Sequence, residues 1–143
     1  MRWPGQLGSG SVVTEPISAI DILPTLAGLF GVSVPGGYTI DGLDLWPLLS
    51  GDVTSLSRPA IFGFNEAPFS AARLGAVRDG DWKLIEFYES DETELYNLAE
   101  DPTESKNVAD QYPQVRDRLK AKLARWQTEM GAKMPVEVST ARP

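Results

Sequence analysis

The spacing of apolar residues changes period once along the chain. Between Ser18 and Phe30, the residues Ile22, Leu23, Leu26, Leu29 and Phe30 recur three and four positions apart, which predicts a helix with one apolar face. Ser18 is placed to cap it, with Asp21 three residues on as an acidic variant of the capping box, and Gly31 supplies a left-handed end. Pro24 either lies in the first turn of a helix that starts near Ile20–Asp21 or kinks a longer one, and the later start is favoured. Residues 2–16, with Pro4, three glycines and Pro16, predict an irregular lead-in. Turn chemistry at Val34-Pro35-Gly36-Gly37 and Asp41-Gly42 predicts a loop over 31–42. Leu43 to Leu49 follows as a short apolar turn, closed by Gly51.

After the Ser-, Gly- and Thr-rich stretch 50–57 the period becomes that of strands. Pro59–Phe64, Ala72–Arg78, Trp82–Tyr88 and Glu94–Leu98 are the four candidates. Asp79-Gly80 predicts a two-residue hairpin with positive φ at both central residues. On the third strand Trp82, Leu84 and Tyr88 point one way and Ile85 and Phe87 the other, so both faces are expected to be covered. Pro113 to Met130 predicts the longest helix. Pro113 is its first residue, Gly131 ends it, and Val115, Leu119, Leu123, Trp126 and Met130 form its apolar stripe. The expected fold is α+β: an antiparallel sheet of about four strands, the last helix across one face, and a helical segment before it.

Composition narrows the chemistry. A chain of 143 residues is one domain, or one with an appendage, and can bury about 70% of its unfolded surface. A net charge of −7 argues against nucleic-acid and anionic-membrane partners. No apolar run is long enough to span a bilayer, and Met1-Arg2-Trp3-Pro4-Gly5 lacks the apolar core of a signal peptide. The compartment is left undecided. The chain has no Cys and no His. That removes thiolate nucleophiles, the commonest general base and the commonest metal ligand, so any site here would rest on carboxylates, Lys, Tyr or Ser.

Three segments in order resemble one family. Arg2-Trp3-Pro4-Gly5 resembles the end of a core strand in sulfatases. Ile20-Asp21-Ile22-Leu23-Pro24-Thr25-Leu26, then Gly31 and Asp41-Gly42-Leu43-Asp44-Leu45, resembles the next helix and its exit loop. Arg73 through Ile85, Glu94-Leu95-Tyr96-Asn97-Leu98, and Asp101-Pro102 with Glu104 and Asn107, resemble the C-terminal subdomain. The resemblance implies three parts: 1–52 from the end of the sulfatase core, 53–131 as the C-terminal subdomain, and 132–143 as a tail. It implies an alkaline-phosphatase-like parent of the arylsulfatase kind, hydrolysing sulfate esters with a formylglycine and a calcium ion held by carboxylates. The Cys/Ser-x-Pro-x-Arg motif of that chemistry is absent from this chain; Ser57-Arg58-Pro59 has similar letters in the wrong order. No catalytic or metal residue is therefore carried over, and no cofactor is expected in this chain. It is expected to be inactive alone, as the C-terminal part of a sulfatase. An autonomous binding or assembly module is the alternative.

Several groups need weighing. Arg73, Arg78 and Lys83 flank the hairpin and could present charge to a sulfated small molecule or glycan in the parent; the bland reading is strand residues facing water. The acidic stretch from Glu86 to Glu104 reads as a solvated turn before it reads as a calcium site. Asp79 and Asp81 are better explained by the hairpin than as an acid/base pair. Trp82, Trp126, Tyr88 and Tyr96 are expected in the core, not in a sugar-stacking platform. The Ile22/Leu26/Leu29/Phe30 face needs a cover, and a homo-oligomer, a dimer first, is the expected answer.

Overall fold

The computed structural model describes residues 2–34, 36–37, 39–65 and 73–133. The chain divides into two compact units, Met1–Arg58 and Pro59–Pro143. Met1, the first residue of the second strand (Ala72) and residues 134–143 of the tail lie outside the described residues.

In the first unit a 3-10 turn, Ala19–Asp21, leads into α1, Ile22–Phe30. Ser18 is extended before it, and its N–H donates to Asp21 Oδ2 at 2.7 Å. Pro24 is the third residue of α1, where its missing N–H would have no intrahelical acceptor, so the helix is not kinked. Gly31 closes α1 in the left-handed conformation. The apolar turn after residue 43 becomes α2, Trp46–Ser50. The stripe Ile22, Leu26 and Phe30 is exposed and Leu29 half-buried, whereas Thr25 is the one residue α1 buries.

The second unit holds a four-stranded antiparallel sheet in sequence order: β1 Ile61–Asn65, β2 Leu74–Asp79, β3 Trp82–Phe87 and β4 Glu92–Asn97. The register puts Phe62, Val77, Leu84 and Leu95 in one cross-strand row. On this row rests α3, Pro113–Glu129, which delivers Leu119 and Leu123 fully buried into the same cluster. Each such leucine contributes about 1.5–3 kcal/mol by leaving water. Phe62 stacks on Trp126 at 4.9 Å, and Trp82 packs at 5.0 Å against Tyr112. These contacts pack both tryptophans, partly buried, against the core. Met130, expected on the stripe, is exposed, because it follows the last turn of α3. Its neighbour Gln127 is buried in its place.

The β2–β3 hairpin differs from expectation. Asp79 pairs with Trp82, so the loop residues are Gly80 and Asp81. Gly80 alone has positive φ, as a type II′ connection requires. Asp79 is thereby a strand residue facing α3, where its carboxylate meets Lys122 at 2.8 Å and Arg118 at 2.7 Å. The fourth strand begins at Glu92, two residues earlier than expected, and the face of β3 opposite α3 is only partly covered among the described residues.

Gly75 has a packing reason. A methyl there would overlap the Tyr88 hydroxyl, which accepts from the Gln127 side-chain amide. Gly75→Ala is expected to cost about 1–3 kcal/mol by forcing that buried pair apart. Chemical denaturation of the second unit checks this, and an unchanged midpoint would show that the slot is slack.

Candidate functional site

The three cations proposed from sequence do not form one cluster. Arg78 and Lys83 are register partners on β2 and β3, on the face away from α3, and Tyr96 of β4 continues their row. Arg73 lies just before β2, and its Nε faces Glu89 at 3.7 Å, both half-open to solvent. An exposed pair of that kind contributes little. Arg78 spends its Nε on the Gly80 carbonyl at 3.2 Å. Lys83 is the most constrained: its Nζ lies 2.7 and 2.6 Å from the two oxygens of Glu104. Of the three cations, Arg78 alone has no carboxylate partner among the ion pairs of the described residues.

The loop after β4 supplies Glu104. Asp101 folds it by accepting from the N–H groups of Lys106 at 2.9 Å and Ser105 at 2.8 Å. Those donors hold the Asp101 carboxyl down to about 2. Glu104 takes a left-handed φ of 55° as the chain turns towards Lys83. Tyr96 is buried in the same row. Burial first, then the carboxylates of Glu94, Glu104 and Asp101, push its hydroxyl up to about 12. A phenol held protonated in this way donates a hydrogen bond and does not act as a base. The acidic stretch is thus largely paired or turn-forming: Glu86 with Lys120, Glu104 with Lys83, and Asp101 with its own turn.

The first unit contains a polar knot that sequence reasoning missed. Asp21 is fully buried and accepts from Ser18 N–H, Leu43 N–H at 2.9 Å, and the Arg58 guanidinium. Burial by itself would raise its carboxyl; the Arg58 hydrogen bond and the two backbone donors outweigh that and hold it below the ordinary value. Thr25 donates to the Asp21 carbonyl at 2.6 Å and accepts from Leu45 N–H at 2.9 Å. Gly42 permits this closeness, because any Cβ there would strike the Ile20 carbonyl. The signal lies in Asp21, Thr25, Asp41-Gly42-Leu43 and Arg58; locally Asp21 reads as a cap and Asp41-Gly42 as a turn, and nothing local singles out Thr25 or Arg58. Three segments, around Asp21, Leu43 and Arg58, meet only in the folded chain.

Other chemistry is sparse. An open cleft of about 600 Å³ is lined by Trp3, Leu7, Ser9, Val13 and Leu49, with Arg2 its single charged group. It offers no acid/base pair. Among the described residues, no group of three or more carboxylates could hold a metal ion, and no helix is long and apolar enough to cross a membrane. Among the described residues, these charged groups brace the fold, and the hydroxyls that meet carboxylates, such as Ser50 with Asp52 and Ser105 with Asp101, lie in exposed turns.

The family model for N-sulphoglucosamine sulphohydrolase, C-terminal, matches residues 1–129. Human arylsulfatase A is 36% identical over 143 aligned residues, covering 82% of this chain and 28% of the relative. Mouse steryl-sulfatase is 44% identical over 73 residues, 51% of this chain and 12% of the relative. A solved structure described as in complex with its substrate D-glucosamine-2-N,6-O-disulfate superposes with a TM-score of 0.71 at 30% identity. It covers 95% of this chain and 29% of its own. The chain therefore spans under a third of the length of these relatives. A family model over nine-tenths of the chain shows that it belongs to the sulfatase family, as its C-terminal domain.

Proposed function

We propose that this chain is the C-terminal part of a sulfate ester hydrolase and hydrolyses no ester by itself. The commitment of its charged groups to structure supports this reading. Asp21 is held by Arg58, Asp79 by Lys122 and Arg118, and Lys83 by Glu104. The calcium ion and formylglycine of the family do not fit the residues described here. The buried carboxylates already have cationic partners, and the sequence has neither Cys nor the Cys/Ser-x-Pro-x-Arg motif. Incubation of the purified chain with a chromogenic aryl sulfate, with and without calcium, is expected to release no product above buffer. Release that scales with chain concentration would overturn the reading.

In a complete hydrolase, the Arg78/Lys83 row is the part of this chain suited to an anionic substrate. Arg78 is the group to test there, since Lys83 already has its counter-charge. Arg73, set apart and paired with Glu89, is the weaker candidate. The second reading, a self-associating module, draws on the exposed residues Ile22, Leu26 and Phe30. It requires a homo-oligomer, a dimer first. Light scattering that gives one chain per particle across a wide concentration range removes it.

A further inference from the structure

Arg78 and Lys83 stand directly opposite one another on β2 and β3. Side chains so placed are close neighbours, and two like charges there repel. The chain as a whole carries −7, so the pair is a cationic spot in an acidic protein. Only one of the two charges is answered. Glu104 lays both its oxygens against Lys83 Nζ, at 2.7 and 2.6 Å. Arg78 gives its Nε to the Gly80 carbonyl and, among the described residues, pairs with no carboxylate. A planar guanidinium beside an ammonium suits an oxyanion, and Glu104 already brings one to the ammonium.

We propose that Arg78 and Lys83 form a binding site for an oxyanion, a sulfate ester or a carboxylate, and that Glu104 fills it as an internal stand-in which the ligand displaces. Three observations make Glu104 displaceable. The Lys83 and Glu104 side chains are 27% and 33% exposed, so water reaches the pair and weakens it. Glu104 holds a φ of 55°, a region that residues with a side chain enter reluctantly. The turn that carries it does not depend on Lys83. The Asp101 carboxylate fixes that turn through Ser105 N–H, Lys106 N–H and the Thr103 hydroxyl. The Glu104 side chain can therefore leave Lys83 while the turn stays folded. The source of the ligand rests on the proposed function. In a complete hydrolase the bound group would be a charge on the substrate besides the ester being cut, since this chain lacks the motif that cuts it.

Amide NMR of the isotope-labelled 143-residue chain tests this. Methyl sulfate and, separately, acetate are titrated in, with ionic strength held constant by chloride. The amides of Arg78, Lys83 and Glu104 are expected to shift saturably, and the anion that binds more tightly names the group the site prefers. Glu104→Gln frees Lys83 and is expected to tighten binding about tenfold, whereas Arg78→Gln is expected to weaken it about tenfold. Glu100→Gln removes the same charge from an exposed position of the same loop, and is expected to change binding less than about twofold. An unchanged urea midpoint for Glu104→Gln checks that the turn is intact, and Arg78→Gln, outside the loop, gives a second reading of the site. The absence of a saturable shift with either anion, in both the wild-type chain and Glu104→Gln, would overturn the proposal. So would an equal gain from Glu100→Gln, which would reduce the effect to overall charge. Neither result bears on the proposed function, which is judged by ester hydrolysis and not by binding.

Discussion

Asp21→Ala is expected to destroy the fixed structure of residues 2–58 while leaving the sheet and α3 in place. The substitution leaves the Arg58 guanidinium, 11% exposed, without its counter-charge. It also removes the acceptor for Ser18 N–H and Leu43 N–H. Breaking one side of a buried ion pair costs about 3–5 kcal/mol, more than a small unit with few buried apolar residues can lose. Near-ultraviolet circular dichroism reads the outcome, because Trp3 and Trp46 lie with ring centroids 5.3 Å apart in this unit. Their signal should vanish, and α1 amides should exchange at the rate of an unstructured peptide. Removing both partners, as Asp21→Ala with Arg58→Met, is expected to recover part of the loss, since no charge is then stranded. The pH dependence follows from the lowered Asp21 carboxyl. Its stabilisation is fully present above the ordinary aspartate value, near 3.9. It is lost only as pH falls through the lower folded value, so the first unit should hold its tryptophan signal at pH 5 and lose it in stronger acid. Loss at pH 5 would show that the Asp21–Arg58 pair is not formed.

Leu84→Ala is expected to be the most damaging change in the second unit. Leu84 is fully buried on β3 between Val77 of β2 and Leu95 of β4, beneath Leu119 and Leu123 of α3. Truncation removes apolar contact and leaves a cavity whose walls, strand on both sides and helix above, have little freedom to close. A cost of about 3–5 kcal/mol follows from the transfer and cavity contributions together. Urea unfolding followed by Trp82 and Trp126 fluorescence checks it. A loss below about 1 kcal/mol would mean that the strand shifts to fill the space.

Much of this architecture was legible in the sequence because local signals agreed with tertiary ones. Pro113, the Leu119/Leu123 spacing and Gly131 all mark the same helix, and the strands carry the alternation that the register confirms. The hairpin was misplaced by one residue because Asp-Gly and Gly-Asp are both turn dipeptides; Gly80 takes the first loop position of a type II′ turn, and Asp79 stays in the strand, where it meets Lys122 and Arg118. Tertiary placement was harder to read. Nothing in the acidic stretch distinguishes Glu104, which pairs with Lys83, from its solvated neighbours. Nothing local shows that Thr25 is buried while Ile22 and Phe30 on the same helix are not. That inversion depends on Gly42, Leu43 and Arg58 returning to Asp21, a long-range arrangement with no periodic signature.

The most direct test is transplantation into a working relative. Human arylsulfatase A would be assayed on a chromogenic sulfate ester in three forms: intact, cut before its matching stretch, and cut but joined to this chain. The truncated enzyme should be inactive, the chimera should hydrolyse the ester, and the isolated chain should not. A truncated enzyme as active as the chimera, or hydrolysis by the isolated chain, would contradict the view that this region completes a sulfatase without catalysing its reaction.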